Sequence, residues 1–369
     1  MKIQSTLAVL IIAAGYSSRM NDFKPLLPFG KTSALERLIQ TYQNQGIEHI
    51  YVVVGHKKDE ILTALKDYSI HIIYNEEYDK GMFNSIQKGL SNLQEGIDAF
   101  YMQPVDIPLI KGQTLECLYE AYAREGKGIV YPTFFGRKGH PPLISTKYKE
   151  QILSSQGEGG LKKVLEAFEN DALHVSVCDK SILMDMDTQE DYQNLLEYEA
   201  MHAPTKEECL AIMLQHKVSN RVIKHCEAVE KIACELYESV ASFGLCIDKY
   251  ALSAAALLHD IAREEKDHAT VGAQKLRAMG YAVIGDIIET HMDIEVDENT
   301  PLNANELLFI ADKVVQEERV CGLEKRFEGA LKKCKDDTQA LYSIHKRLRA
   351  AHVIISKIQI LTCKDFPYG

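Results

Sequence analysis

The run Leu7-Ala8-Val9-Leu10-Ile11-Ile12, closed by Ala13-Ala14-Gly15, limits the fold of this chain more than any other feature. An unbroken apolar stretch of this length suits a strand buried on both faces. Such strands belong to parallel sheets covered by helices on both sides. The run falls far short of the ~18 apolar residues that a membrane helix needs. A polar loop follows, with Ser17, Ser18, Arg19 and Lys24. Small residues at the end of a buried strand let backbone N–H groups come close to a ligand, and Gly15 accepts the positive φ that such loops often need. N–H groups that converge on one concavity bind anions, and Arg19 and Lys24 add fixed positive charge. The local chemistry is that of a phosphate site. It is not the GxxxxGK[ST] phosphate loop, and no GxGxxG dinucleotide fingerprint follows the strand.

Downstream, a helical pattern over 33–44 puts Leu35, Leu38 and Ile39 on one face. Strands are expected at 50–55 and 71–74, with a helix at 59–65 between them. This β-α-β-α-β rhythm predicts a doubly wound, mostly parallel α/β sheet, in which ligands bind beyond the carboxyl ends of the strands. A loop at Gly81 then opens a helix running to Leu90, with Asn84 or Ser85 as its expected cap. The strand expected over 98–106 ends at Asp106, and Pro108 breaks the structure just after it. A carboxylate at that end, facing a triphosphate loop, is where Mg²⁺ would be held, because Mg²⁺ takes one or two carboxylates plus substrate phosphates. A strand over 128–134 leads into Gly136-Arg137-Lys138-Gly139-His140-Pro141, a tight turn with basic side chains. Gly157-Glu158-Gly159-Gly160 precedes a helix expected over 161–168, another start suited to an anionic group.

The string AAGxSxRM followed by KPLLPFG resembles the signature of the MobA-like nucleotidyltransferases, and within them the molybdenum cofactor cytidylyltransferases. Matching motifs continue in family order: Asp106-Ile107-Pro108, G-x-x-G-H-P at 136–141, and D-x-D-T-x-E-D-Y at 185–192. The resemblance implies a GT-A-like nucleotidyltransferase domain over 1–200. It places Ala13, Ala14, Gly15, Ser17, Ser18, Gly81, Asn84 and Ser85 at the nucleotide. It places Arg137, Gly139, His140 and Pro141 at the acceptor, Arg19 and Lys24 on the triphosphate, and Asp106 and Asp185 on Mg²⁺. Asp187 and Thr188 are expected to cap the helix that follows. The implied NTP is CTP and the implied acceptor a molybdopterin-type cofactor, with a molybdenum hydroxylase apo-enzyme as a further partner. Two departures bear on substrate preference: Asn21 stands where Gly usually follows Arg-Met, and Gln103-Pro104 where small residues are expected.

Near His202-Ala203-Pro204 the character changes, and from Lys206 the pattern is helical, so a separate all-α domain is expected over 201–369. His259-Asp260 closes an all-apolar helix expected over 251–258. Packing explains a His-Asp pair there poorly, since buried charge is costly unless paired or metal-bound. Imidazole and carboxylate together suit Mn, Fe, Co, Zn or Ni. The order His225, His259-Asp260, His268, His291, Asp312 closely resembles the HD-domain phosphohydrolases. It implies a core set of His225, His259, Asp260 and Asp312, with His268 and His291 as the additional positions of dinuclear members, and hence one or two transition-metal ions. Arg263 and Lys313 are candidate phosphate contacts, with solvated surface charge as the alternative.

The net charge of −11 argues against bulk nucleic-acid binding. No long apolar run and no cleavage-site pattern are present, which leads to an expectation of a cytoplasmic protein that does not bind membranes. The nine cysteines are odd in number and lack CxxC spacing, which fits reduced thiols, not disulfides or structural zinc. The leading expectation is a bifunctional nucleotidyltransferase and phosphohydrolase. A sugar-1-phosphate nucleotidylyltransferase, a guanylyltransferase, and a nucleotide-sensing cofactor chaperone with an inactive HD domain are the alternatives.

Overall fold

The computed structural model describes residues 6–16, 20 and 22–368. It divides into two compact units, Met1–Ala200 and Met201–Gly369.

The first unit is built on β1 (Leu7–Ala13), β4 (His49–Val54), β5 (His71–Tyr74), β6 (Ala99–Pro104), β7 (Ile129–Phe134), β8 (Arg137–Lys138), β9 (Leu143–Ser145) and β10 (Ala172–Ser176). A separate hairpin joins β2 (Pro28–Phe29) and β3 (Thr32–Ser33). The main sheet runs β10-β7-β9-β6-β1-β4-β5, with β8 paired to β7. β1 lies between β4 and β6, parallel to both, and β9 is the antiparallel strand between β6 and β7. Side chains alternate along β1, so its apolar run feeds two cores. Val9 and Ile11 join Leu35, Leu38 and Tyr42 of α1 (Ala34–Asn44) and Leu115 and Leu118 of α4 (Gly112–Glu125). Leu10 and Ile12 join Ile86 and Leu90 of α3 (Met82–Ser91) on the other face. Gly89 allows this approach: a Cβ there would lie 2.3 Å from Leu10 Cδ1. Three further helices are α2 (Lys58–Ala64), α5 (Lys149–Ser154) and α6 (Gly160–Glu166), and α7 (Gln189–Ala200) closes the unit.

Two expected caps are corrected. Gly81, at φ 98°, is the N-cap of α3, while Asn84 and Ser85 lie inside the helix and accept hydrogen bonds from the Asn75 amide, each at 2.9 Å. Asp187 turns to Lys24 and does not cap, whereas Thr188 caps the helix starting at Gln189 as expected: its Oγ1 accepts from the Asp191 N–H at 3.2 Å, and Asp191 Oδ2 accepts from the Thr188 N–H at 2.8 Å.

The segment after β10 is tied down by Asp179, only 2% exposed. Its carboxylate accepts from the Lys111 N–H (2.9 Å), Thr114 Oγ1 (2.7 Å), the Ser181 N–H (3.1 Å) and Ser181 Oγ (2.6 Å). A backbone bond from Met186 N–H to the Asp106 carbonyl (2.8 Å) then lays residues 185–187 beside the end of β6.

The second unit packs α8 (Lys206–Gln215), α9 (Asn220–Val240), α10 (Lys249–Leu258), α11 (His268–Ala278), α12 (Ala282–Ile288), α13 (Ala304–Val314), α14 (Leu323–Lys333) and α15 (Thr338–Thr362). A short hairpin, β11 (Val315–Gln316) and β12 (Arg319–Val320), follows α13. The alanines of α10 let α9 and α12 come close, and α13 packs on α9 and α15. A buried Lys357–Glu306 pair at 2.6 Å ties α15 to α13.

Replacing Asp179 by Ala leaves buried donors unmet on two segments. We expect an unfolding free energy lower by ~2–4 kcal/mol, read by denaturant titration of the full chain. An unchanged midpoint would refute the clamp.

Candidate functional sites

Because Ile12 pairs with Pro104, the carboxyl ends of β1 and β6 open side by side. Between them lies a cavity of about 240 Å³, lined by Ala13, Gly15, Lys24, Gly81, Ser85 and Asp106 among others. Lys24 Nζ is 2.7 Å from Asp187 Oδ1 and 3.8 Å from Asp106 Oδ2. Burial raises the Asp106 pKa; Lys24 opposes that rise, and Asp187 and then Asp185 add to it. Asp106 and Asp187 beside one ammonium offer hard oxygen donors, a set that suits a divalent cation such as Mg²⁺.

Of the expected nucleotide residues, Ala13, Gly15, Gly81 and Ser85 line this cavity. The Ala14 carbonyl accepts from the His56 N–H at 3.2 Å, and Asn84 is held by Asn75. Ser17, Ser18 and Arg19 lie outside the described residues. Asp185 is exposed, whereas Asp187 reaches Lys24, so the geometry sets Asp187 nearer the cation position first given to Asp185.

The acceptor residues separate. Arg137 is exposed on β8. Gly139 sits where a Cβ would be 2.6 Å from the Ile182 carbonyl oxygen, and the His140 N–H donates to that same carbonyl at 3.0 Å, with the buried Pro141 next. The His140 ring is largely buried, its Nδ1 has no partner among the described residues, and burial lowers its pKa against the pull of Asp185. Lys138 is engaged by Glu169 at 2.9 Å.

In the second unit, five segments deliver six expected ligands: His225 from α9, His259 and Asp260 after α10, His268 at the start of α11, His291 after α12, and Asp312 in α13. Three imidazoles share one device. Nδ1 of His225, His259 and His291 lies 2.7, 2.8 and 2.7 Å from the carbonyls of Glu317, Ala256 and Ile288. A carbonyl only accepts, so Nδ1 carries the proton and Nε2 faces the other ligands. Such second-shell bonds orient histidine ligands. Burial disfavours charge on His225, but its Nε2 lies 3.2 Å from Asp312 Oδ1, a pairing that outweighs burial and raises the His225 pKa. His259 Nε2 is buried without a hydrogen-bond partner among the described residues, 3.7 Å from Asp260 Oδ2 and 3.8 Å from Asp312 Oδ1. Two donor groups, His225/His259/Asp260 and Asp260/His268/His291, each gather their atoms within 4.8 Å and share Asp260. Burial pushes the His259 pKa down to about 4, so the ring is neutral at pH 7. Burial works against ionised Asp260, but His259, His268 and His291 hold its pKa well below the usual range. The orphaned His259 nitrogen and this N/O donor set fit one or two transition-metal ions.

Lys313 is buried, and its ammonium donates to Asp312 Oδ2 (2.6 Å) and the His291 carbonyl (3.0 Å), so it braces the ligand set from the cavity wall and is not a solvated surface charge. Arg263 is half exposed and pairs with Asp260 Oδ1 at 3.3 Å.

We expect His259→Ala to weaken divalent-metal binding by more than the roughly 10–100-fold that loss of a second-shell partner costs. Titration of chelator-stripped protein with Mn²⁺ or Zn²⁺ measures it; equal affinity in the variant would remove His259 from the ligand set.

Residues 9–174 match the MobA-like NTP transferase domain, and residues 222–316 match the HD domain. The chain is similar to the molybdenum cofactor cytidylyltransferase of Escherichia coli, 25% identical over 51% of this chain and 94% of that protein. It is 30% identical to the bifunctional protein GlmU of Corynebacterium aurimucosum over 35% of this chain and 30% of that one. A crystal structure of Rv0371c from Mycobacterium tuberculosis aligns at TM-score 0.48 and 20% identity, over 53% of this chain and 99% of that one. No helix among the described residues is long and apolar enough to cross a membrane. The chain therefore carries a MobA-like NTP transferase domain followed by an HD domain.

Proposed function

We propose that the first domain transfers a cytidylyl group from CTP to the phosphate of a molybdopterin-type cofactor, and that the HD domain hydrolyses a phosphate ester. The observation that carries the transfer is the Lys24 ammonium set between Asp106 and Asp187 at the mouth of the β1 loop. The likeness to a cytidylyltransferase over nearly its whole length supports CTP and the cofactor as substrates.

In this reading an acceptor phosphate oxygen attacks the α-phosphorus in line. A new P–O bond forms as the bond to the β-phosphate oxygen breaks, and pyrophosphate leaves. No general base is needed, because the acceptor phosphate is already ionised. Mg²⁺, when bound, neutralises charge on the triphosphate. Asp106 and Asp187 hold it, with Asp185 at the rim. Lys24, together with Arg19, offsets charge on the departing pyrophosphate. The β1 loop and the segment from Gly81 to Ser85 position base and sugar. Positioning of this kind supplies much of such a rate enhancement. His140, neutral and half-enclosed, stands on the acceptor side with Arg137, Gly139 and Pro141.

In the HD domain, His225, His259, Asp260, His268, His291 and Asp312 would hold one or two transition-metal ions, which would supply the Lewis-acid activation that hydrolysis of a phosphate ester needs. Asp260 stands between the two donor groups, and Lys313 keeps Asp312 ionised and fixed. The companion proposals are a cytoplasmic location and the domain limits 1–200 and 201–369.

The test is pyrophosphate release with Mg²⁺, each NTP in turn, and molybdenum cofactor. We expect release with CTP only, dependent on the cofactor and reduced at least ~100-fold in Asp106→Ala. Release with GTP, or with a sugar 1-phosphate in place of the cofactor, would reassign the substrates. Independently, Asp260→Ala should abolish metal-dependent phosphate release from p-nitrophenyl phosphate and leave pyrophosphate release intact. Absence of that phosphate release in the metal-loaded parent chain favours a nucleotide-sensing role for the HD domain.

A further inference from the structure

The metal-ligand set opens into a cavity of about 720 Å³. That lies within the ~300–1,000 Å³ range of small-molecule sites. It far exceeds what one phosphate group needs, given a water's share of ~30 Å³. His225, Asp260 and Asp312 lie at one part of its wall. Another part comes from α14 and α15, which follow the residues matched by the HD domain: Arg326, Phe327, Ile344 and Arg347.

Five cationic side chains line this cavity, and four are already neutralised. Arg221 sits on Glu317 at 2.7 Å, Arg263 on Asp260 at 3.3 Å, and Lys313 on Asp312 at 2.6 Å. Arg347 makes a two-pronged pair with Asp293, at 2.9 and 3.1 Å. The side chain of Arg326, half-buried on α14, has no ion pair or hydrogen bond among the described residues. A guanidinium presents a planar fork of donors that matches carboxylate or phosphate. Left unmatched on a cavity wall, it is a binding group awaiting an anion. Phe327 and Ile344 beside it, with Met292, give the wall apolar surface.

We propose that Arg326 forms a second anion subsite, so that the HD domain's substrate is a phosphate ester carrying a second phosphate or carboxylate group. One anionic group lies at the metal ligands, and the second is read by the C-terminal helical pair. This rests on the hydrolase reading above for the first group only. Specificity then resides in α14 and α15, outside the part of the chain that carries the metal ligands.

The test compares Arg326→Ala and Arg326→Lys with the parent, as full chains loaded with Mn²⁺, by calorimetry. The probes are pyrophosphate against orthophosphate, fructose 1,6-bisphosphate against fructose 6-phosphate, and adenosine 3′,5′-bisphosphate against AMP. Together these pairs sample different spacings. At least one doubly anionic probe should bind the parent about tenfold or more tightly than its partner, as a charge-assisted hydrogen bond provides. Arg326→Ala should erase that difference and Arg326→Lys restore part of it. The substitution is on a helix surface, where Ala is well tolerated. If no pair shows a preference, or if Arg326→Ala weakens both members equally, the subsite does not exist. Turnover of p-nitrophenyl phosphate, which has one anionic group, by the metal-loaded parent chain tests the hydrolase reading separately. Its absence in the parent counts against the hydrolase reading, while the binding comparison still decides the role of Arg326.

Discussion

The burial of β1 on both faces is the constraint on which the first unit depends. Leu7, Val9, Ile11 and Ala13 serve one core, and Ala8, Leu10, Ile12 and Ala14 the other. Each large apolar side chain removed from water contributes ~1.5–3 kcal/mol. No polar group can replace one without losing that and adding a desolvation cost. Chemistry is thereby excluded from the length of the strand and confined to its end. There the small residues Ala13, Ala14 and Gly15 leave room, and the parallel register with β6 brings in Asp106. The sheet order thus explains why residues far apart in the chain, such as Lys24 and Asp187, meet at one place.

The second unit solves the opposite problem. It buries charge in a helical interior, where an unpaired ion would be severely penalised. Three backbone carbonyls take the Nδ1 protons of three histidines, and Lys313 takes one oxygen of Asp312. Once those bonds are made, what remains is a convergent set of Nε2 and carboxylate oxygen atoms. The uncompensated His259 Nε2 is the clearest member, since a buried acceptor without a donor costs ~1–3 kcal/mol. A bound cation would convert that cost into binding energy, and metal affinity and folding are coupled in this way. The apolar α10 can therefore end in His259-Asp260 without destabilising the unit.

Much of this was readable in the chain. The unbroken run at 7–12 forecast a central parallel strand, because two-sided burial leaves no alternation of polar residues. The spaced His and Asp positions forecast a shared site, because an apolar helix has no other use for such residues at its end. Other features were hidden by their dependence on tertiary partners. Asp187 looked like a helix cap, since a cap and an ion-pair partner share the same short carboxylate, and only folding brings Lys24 within reach. Lys313 looked like a surface cation, yet its neighbour Asp312 and the His291 carbonyl enclose it. Asn84 and Ser85 looked like caps, but Gly81 can adopt the positive φ that starts α3 one turn earlier. The wall formed by α14 and α15 carried no motif at all, because a lone arginine on a helix gains meaning only from the cavity it borders.

The Lys24 contacts also bear on how the transferase cavity can accept a highly charged ligand. Without ligand, the ammonium lies 2.7 Å from Asp187 and 3.8 Å from Asp106, offsetting two carboxylates that would otherwise repel. Nucleotide and divalent cation bring opposite charges in similar amounts. On the proposed reading the carboxylates exchange the ammonium for the cation, and the ammonium exchanges carboxylates for phosphate oxygens. Each group keeps an opposite charge throughout, so the exchange strands no buried ion at any stage. A cavity with carboxylates alone would resist the triphosphate, and one with cations alone would hold the pyrophosphate product. On that reading, mixed charge at the end of β1 suits both binding of the triphosphate and release of the product.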